Sequence, residues 1–276
     1  MSDSTTLVVN GRSLRELGWR VIDIHAHLGR YGAFEIPYGD ADGMVAHMDR
    51  LGIATACISS LTAINADYVR GNDLTAAAVR RHPGRFVGYA VANPWEPSQI
   101  TAELTRAFDE LGLSVIKVHP TLWGLPVTEA RYEPIWAFAQ QRNTMILSHT
   151  WAGDRTCRPS LFREIAARHP NVAFVLGHSG GPPEGNAEAI EVASACPNVY
   201  LEVCYSQLTR PQLEGLVQAI GHDRILLGTD TPFIDPSFTV AKVAASSLAV
   251  EQRQAILGEN AARLLERYAP QAGIRA

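Results

Sequence analysis

The chain has 276 residues, 46% hydrophobic and 19% charged, with a formal net charge of -4. That length buries a sizeable core, and α/β barrels of roughly 250 residues fold as one unit. A balance leaning acidic, without clustered Lys and Arg, excludes nucleic acid and anionic membrane surfaces as partners.

The first twenty residues, MSDSTTLVVNGRSLRELGWR, lack both a basic leader and the apolar run of a secretory signal. No stretch approaches the ~18 apolar residues of a membrane span. The four cysteines (Cys57, Cys157, Cys196, Cys204) form no CxxC pair. We expect a soluble, cytoplasmic protein with reduced thiols, in which residues 1–20 are an N-terminal extension and 21–276 the folded unit. Only two of the 24 basic residues are lysines, Lys117 and Lys242, as an arginine-rich genome would produce.

From residue 21 onward, short Val/Ile/Leu runs follow Gly, Pro, Asn or Asp breaks, at 21–24, 54–58, 86–91, 115–118, 145–147, 172–176, 199–203 and 225–227. Amphipathic segments lie between them, at 41–51, 73–81, 99–111, 131–141, 160–168, 188–195 and 212–219, and a last one spans 250–268. Successive strand starts are 26 to 33 residues apart, the length of one βα unit. Eight such units predict a single (β/α)8 TIM barrel. A doubly wound open sheet fits less well, because no GxGxxG follows the first strand and polar residues end nearly every strand.

In a barrel the carboxyl ends of the strands carry chemistry. His82, His169 and His222 precede strands and His47 lies within a helix, so these four read as structural. His25, His27, His119, His149 and His178 fall at strand ends, and Asp230 ends the eighth. Alternation with period two puts His25 and His27 on one side, with Asp23 beside them, and pairs Lys117 with His119. Five imidazoles and a carboxylate at one mouth build a nitrogen and oxygen cage for a divalent metal.

The ordered motifs DIHAH, IKVHP, HPNVAFVLGHSGG, GTDTPF and ILGENAARLL resemble those of the amidohydrolase superfamily. More narrowly, they resemble its group of aminocarboxymuconate semialdehyde decarboxylase-like enzymes, and the likeness runs from about residue 21 to 265. The resemblance implies that His25, His27, His149 and Asp230 bind the catalytic metal. Three imidazoles and a carboxylate suit Zn, our first expectation, and also Mn, Fe or Co. Such an ion lowers the pKa of bound water towards ~7, and Asp230 would then move protons, so that its mutation hurts turnover more than affinity. By the family pattern His178 stands beside the metal, polarising substrate or holding a second ion. Lys117 is expected to pair with Glu202 or bind substrate; carbamylation to bridge two metals is the alternative. His119 either contacts substrate or ends its strand, and Asp23 orients a histidine. Arg30, Trp123, Trp151, Arg155 and Phe233, with Tyr31, Leu122 and Arg158 nearby, are candidate substrate contacts, and Arg with aromatics suggests a small carboxylate bearing a ring.

The leading expectation is a metal-dependent hydrolase of a lactone, amide or ester, favoured by the intact HxH and short upper loops. The alternative is metal-dependent, non-oxidative decarboxylation of an aromatic or dienoic acid. A barrel that binds metal or ligand without catalysis is the third reading. The substrate is a small molecule in each case, and homo-oligomerisation is left open.

Overall fold

The structure is a computed structural model that describes residues 8–9, 11–32 and 36–274. Eight parallel strands follow one another around a ring: β1 Val21–Leu28, β2 Ile53–Ser60, β3 Phe86–Ala90, β4 Val115–Val118, β5 Met145–His149, β6 Ala173–Gly177, β7 Val199–Glu202 and β8 Ile225–Leu226. Each pairs with the next in register, and β1 meets the segment after β8. Ile24 N–H donates to Leu227 O at 2.9 Å, Asp230 N–H donates to His25 O at 2.8 Å, and Ala26 bridges Thr231. Helices fill the crossovers, giving the (β/α)8 barrel. Among the described residues no helix is long and apolar enough to cross a membrane.

The helices form where the apolar period and the end signals agree. In Ala41–Leu51, Met44, Met48 and Leu51 recur on one buried face, the Asp40 carboxylate caps the Gly43 N–H, and Gly52 ends the helix at φ 74°. Three further helices, Leu61–Asn65, Pro120–Trp123 and Pro236–Ala244, escape the sequence reading, the first two because they span barely one turn. Before β1, Val8–Val9 pairs with Arg12–Ser13, and Leu14 and Trp19 are buried in the main core. Residues 1–7 and 10 of the expected extension lie outside the described residues.

Two apolar layers divide the interior. Val21, Ala26, Ile53 and Ile116 pack outward against helices, whereas Ile22, Ile24, Cys57, Val87, Val115, Met145, Leu147 and Val175 fill the barrel. The final helical segment closes the lower end: Ala261, Leu264, Leu265 and Tyr268 join the inner cluster. Its entry is a π-turn, Ala255–Glu259, in which Ile256 O accepts the Leu227 N–H at 3.0 Å. Asn260 Nδ2 donates to His222 O and Ile225 O, tying the helix to the start of β8. A Cβ on Gly258 would lie 2.4 Å from Arg20 O, so the chain before β1 can approach only a glycine there. Gly258→Ala should cost about 1–3 kcal/mol through overpacking. A thermal melt should fall by about 3–10 °C; an unchanged Tm would show that the backbone yields freely.

Candidate active site at the mouth of the barrel

A bulge in β1 aims the first two histidines. Asp23 pairs with Ala56 but Ala26 with Ile58, so β1 carries one extra residue there. Bulges re-aim side chains in this way beside functional sites. Ile22 and Ile24 therefore face the barrel interior together with His25 and His27, although strict alternation would separate the two pairs. The same bulge corrects the expectation for Asp23. Its carboxylate does not reach an imidazole; it accepts the His25 N–H (3.0 Å), the Thr229 N–H (3.0 Å) and the Thr229 hydroxyl (2.5 Å). Asp23 thus ties β1 to the segment after β8, and burial pushes its carboxyl up to about 7 against those donors.

Glu202, fully buried at the end of β7, binds three groups at once. Its Oε2 contacts His25 Nδ1 at 2.9 Å and accepts the His178 N–H at 3.0 Å, and its Oε1 accepts the Cys204 N–H. The expected Lys117–Glu202 ion pair is not formed among the described residues, because His25 stands between them. Lys117 Nζ lies 2.7 Å from His25 Nε2, and burial lowers its ammonium to about 8. Gly228 lies against the carboxylate, where a Cβ would come within 2.1 Å of Glu202 Oε1.

His178 and Asp230 share an unusual backbone. Both adopt left-handed φ, 61° and 60°, a conformation that costs a non-glycine residue of order 1–3 kcal/mol and clusters at functional sites. His178 Nδ1 lies 2.9 Å from Cys204 Sγ, and its Nε2 lies 2.9 Å from His149 Nδ1. His27 is fixed by Ser59 Oγ on Nδ1 (3.0 Å) and faces Asp230 Oδ1 with Nε2 (3.2 Å). Sequence reasoning missed Ser59 and Cys204; both are small residues near strand ends with no motif to mark them.

These groups floor a cavity of about 420 Å³. His119, stacked on His149 at 4.3 Å between centroids, lines one side with Trp151 and Tyr205; Tyr31 and Phe233 line the other. Phe233 meets His27 edge-on at 5.5 Å. Other candidates fall elsewhere. Trp123 turns its Nε1–H to Ile64 O, outside the lining. Arg30 lines a neighbouring cavity beside Leu28 and Tyr38, Arg155 is exposed, and Arg158 pairs with Glu188. Among the described residues no Arg or Lys lines the cavity, so the expected guanidinium clamp is absent from it. The loop geometry that carries these arginines outward is not encoded in local spacing.

The donor set suits a divalent cation. Ligand atoms of His25, His27 and Asp230 lie within 4.8 Å of one another. Burial, reinforced by the Lys117 charge, holds the His25 imidazole well below its ordinary pKa, and burial also lowers His27. Both are therefore neutral ligands at pH 7. Burial would raise Asp230, but the His27 hydrogen bond and the neighbouring imidazoles outweigh it, and the net shift is downward, to a carboxylate. His149 and His178 are lowered chiefly by burial, His178 to about 4. His149, expected as a fourth ligand, spends Nδ1 on His178 and lies outside that tight set.

The chain matches the family model described as amidohydrolase over residues 22–267. It belongs to the amidohydrolase family. A γ-resorcylate decarboxylase of Rhizobium radiobacter is 24% identical over 250 residues, 71% of this chain and 75% of that protein. The structure of a 2,6-dihydroxybenzoate decarboxylase complexed with 2,6-dihydroxybenzoate superposes with a TM-score of 0.74 at 20% identity, covering 90% of this chain and 98% of the other. A 5-carboxyvanillate decarboxylase from Novosphingobium aromaticivorans, complexed with manganese, gives 0.76 at 17% identity over 96% and 99%. These similarities overturn the expectation of a hydrolase and favour its carboxy-lyase alternative. The HxH motif reports how an ion is held, not which bond is broken.

Glu202→Gln replaces one acceptor oxygen with an amide that faces other donors, and should weaken metal affinity about 10- to 100-fold. Metal titration of the purified variant reads this directly; wild-type affinity would mean that Glu202 does not orient His25. Gly228→Ala should reproduce the defect without touching a polar group.

Proposed function

We propose that this protein is a metal-dependent decarboxylase of a hydroxybenzoic acid. The observation that carries the reading is the similarity to γ-resorcylate decarboxylase over 71% of the chain. The cavity is consistent with it. Its size falls towards the lower end of the ~300–1,000 Å³ range of ligand pockets, and aromatic walls flank a histidine and carboxylate floor. With no Lys or Arg in the described lining, a substrate with a single carboxylate fits better than a diacid.

His25, His27 and Asp230 would hold the cation, with His149 approaching as fourth ligand. When bound, the ion supplies positive charge that binds the anionic acid and a neighbouring hydroxyl. The manganese in the 5-carboxyvanillate decarboxylase neighbour inclines us to Mn over Zn. Phe233 and Tyr31 on one side and Trp151 and Tyr205 on the other would hold the ring and exclude water. We assign proton transfer to Asp230, a carboxylate at rest that takes up a proton before passing it to the ring; it faces the floor 3.2 Å from His27 Nε2 and 3.6 Å from His25 Nε2. The proton adds to the ring carbon that bears the carboxylate. The C–C bond then breaks, its electron pair restores the aromatic ring, and CO2 departs. One solvent proton is consumed per turnover.

Purified protein reconstituted with Mn or Zn should release CO2 from 2,6-dihydroxybenzoate. Chelation should abolish release, and Asp230→Asn should lower kcat by at least about a hundredfold. Failure to release CO2 from any hydroxybenzoate with either metal would reject the proposal.

A further inference from the structure

The loop after β7 contributes Tyr205 and Ser206 to the cavity wall, and the loop after β8 contributes Phe233 and Ile234 before the helix Pro236–Ala244 begins. Lys242, on that helix, connects the two. Its Nζ donates to Tyr205 O at 2.8 Å and stands 5.5 Å from the centre of the Phe238 ring. The same carbonyl accepts the Leu208 N–H at 3.0 Å, so one oxygen both closes the 205–208 turn and takes the ammonium. A charge-assisted bond of this kind is stronger than a neutral one, and the partly buried position shields it from solvent.

The tie leads directly to the floor of the site. The Tyr205 ring stands edge-on to Trp151, 5.0 Å away at 87°. Trp151 in turn lies parallel to His149 at 6.2 Å and 6.0 Å from His178. A shift in the Tyr205 backbone therefore moves the aromatic wall beside both histidines. The acceptor is a single carbonyl oxygen, which suits a compact ammonium on a flexible stem better than a planar guanidinium. This gives one of the two lysines in an otherwise arginine-based chain a specific task.

We propose that Lys242 is a positioning residue for the substrate cavity: by holding the Tyr205 carbonyl it sets the Tyr205–Trp151 wall against which the substrate ring packs. The inference rests on this cavity being the substrate site, as proposed above, but not on which bond is broken there.

Lys242→Met keeps the aliphatic stem and removes the donor; Phe238→Leu keeps the donor and removes the ring beneath it. In the metal-reconstituted full chain, Lys242→Met should speed amide exchange across residues 203–209 about tenfold. It should raise the KM for 2,6-dihydroxybenzoate about tenfold with kcat within about threefold, while Phe238→Leu stays near wild type on both. Unchanged exchange would overturn the tie, and faster exchange with unchanged KM would overturn its role in the substrate wall. A parallel fall in kcat and Tm without a KM change would reduce Lys242 to general stability and equally overturn the proposal. If the wild type releases no CO2, the reading of the reaction fails separately, and amide exchange with the Kd for 2,6-dihydroxybenzoate decides the role of Lys242.

Discussion

A buried carboxylate organises the mouth of this barrel. Glu202 has no solvent exposure, and desolvating an anion is costly unless donors meet it. Here they come from three directions: the His25 ring, the His178 backbone and the Cys204 backbone. Each is fixed in turn. With Nδ1 engaged, His25 turns Nε2 towards Lys117 Nζ (2.7 Å) and Asp230 Oδ1 (3.6 Å). With its N–H engaged, His178 is held in a left-handed backbone that its side chain alone would not favour. The glycine at 228 is part of the same arrangement, since any side chain there would displace the carboxylate.

Around this anchor the chemistry separates into layers. The histidines and Asp230 form a polar floor whose imidazoles burial keeps neutral, the state in which nitrogen lone pairs bind cations. Above the floor, aromatic rings from the loops after β1, β5, β7 and β8 enclose a slot without Lys or Arg among the described residues. A floor of this kind is compatible with several reactions, because it stabilises negative charge whether that charge arises in hydrolysis or in loss of CO2.

The fold was legible because it repeats: eight β runs separated by helical periods leave few other topologies. The polar floor was legible because strand ends are read from the same pattern, which placed His25, His27, His149, His178 and Asp230 at one mouth. The partners were less accessible. Unbroken alternation would put Asp23 beside the imidazoles, and a one-residue bulge has no composition signature. Glu202 was seen but paired with Lys117, since charge suggests an ion pair while geometry inserts His25 between them. Arg30 and Arg155 looked like clamps on the basis of their neighbours in sequence, yet loop conformation, governed by long-range packing, turned them away. The reaction itself was misread for a related reason: a metal motif describes the ground-state scaffold and says little of the transition state.

The bulge in β1 has a wider consequence. Below it, Ile22 and Ile24 belong to the inner packing that the last helix seals; above it, His25 and His27 belong to the polar floor. One inserted residue lets a single strand obey two phases of the same alternation. That strand thereby contributes both apolar filling and the imidazoles of the floor to the same interior, which an unbroken alternation would have divided between inside and outside.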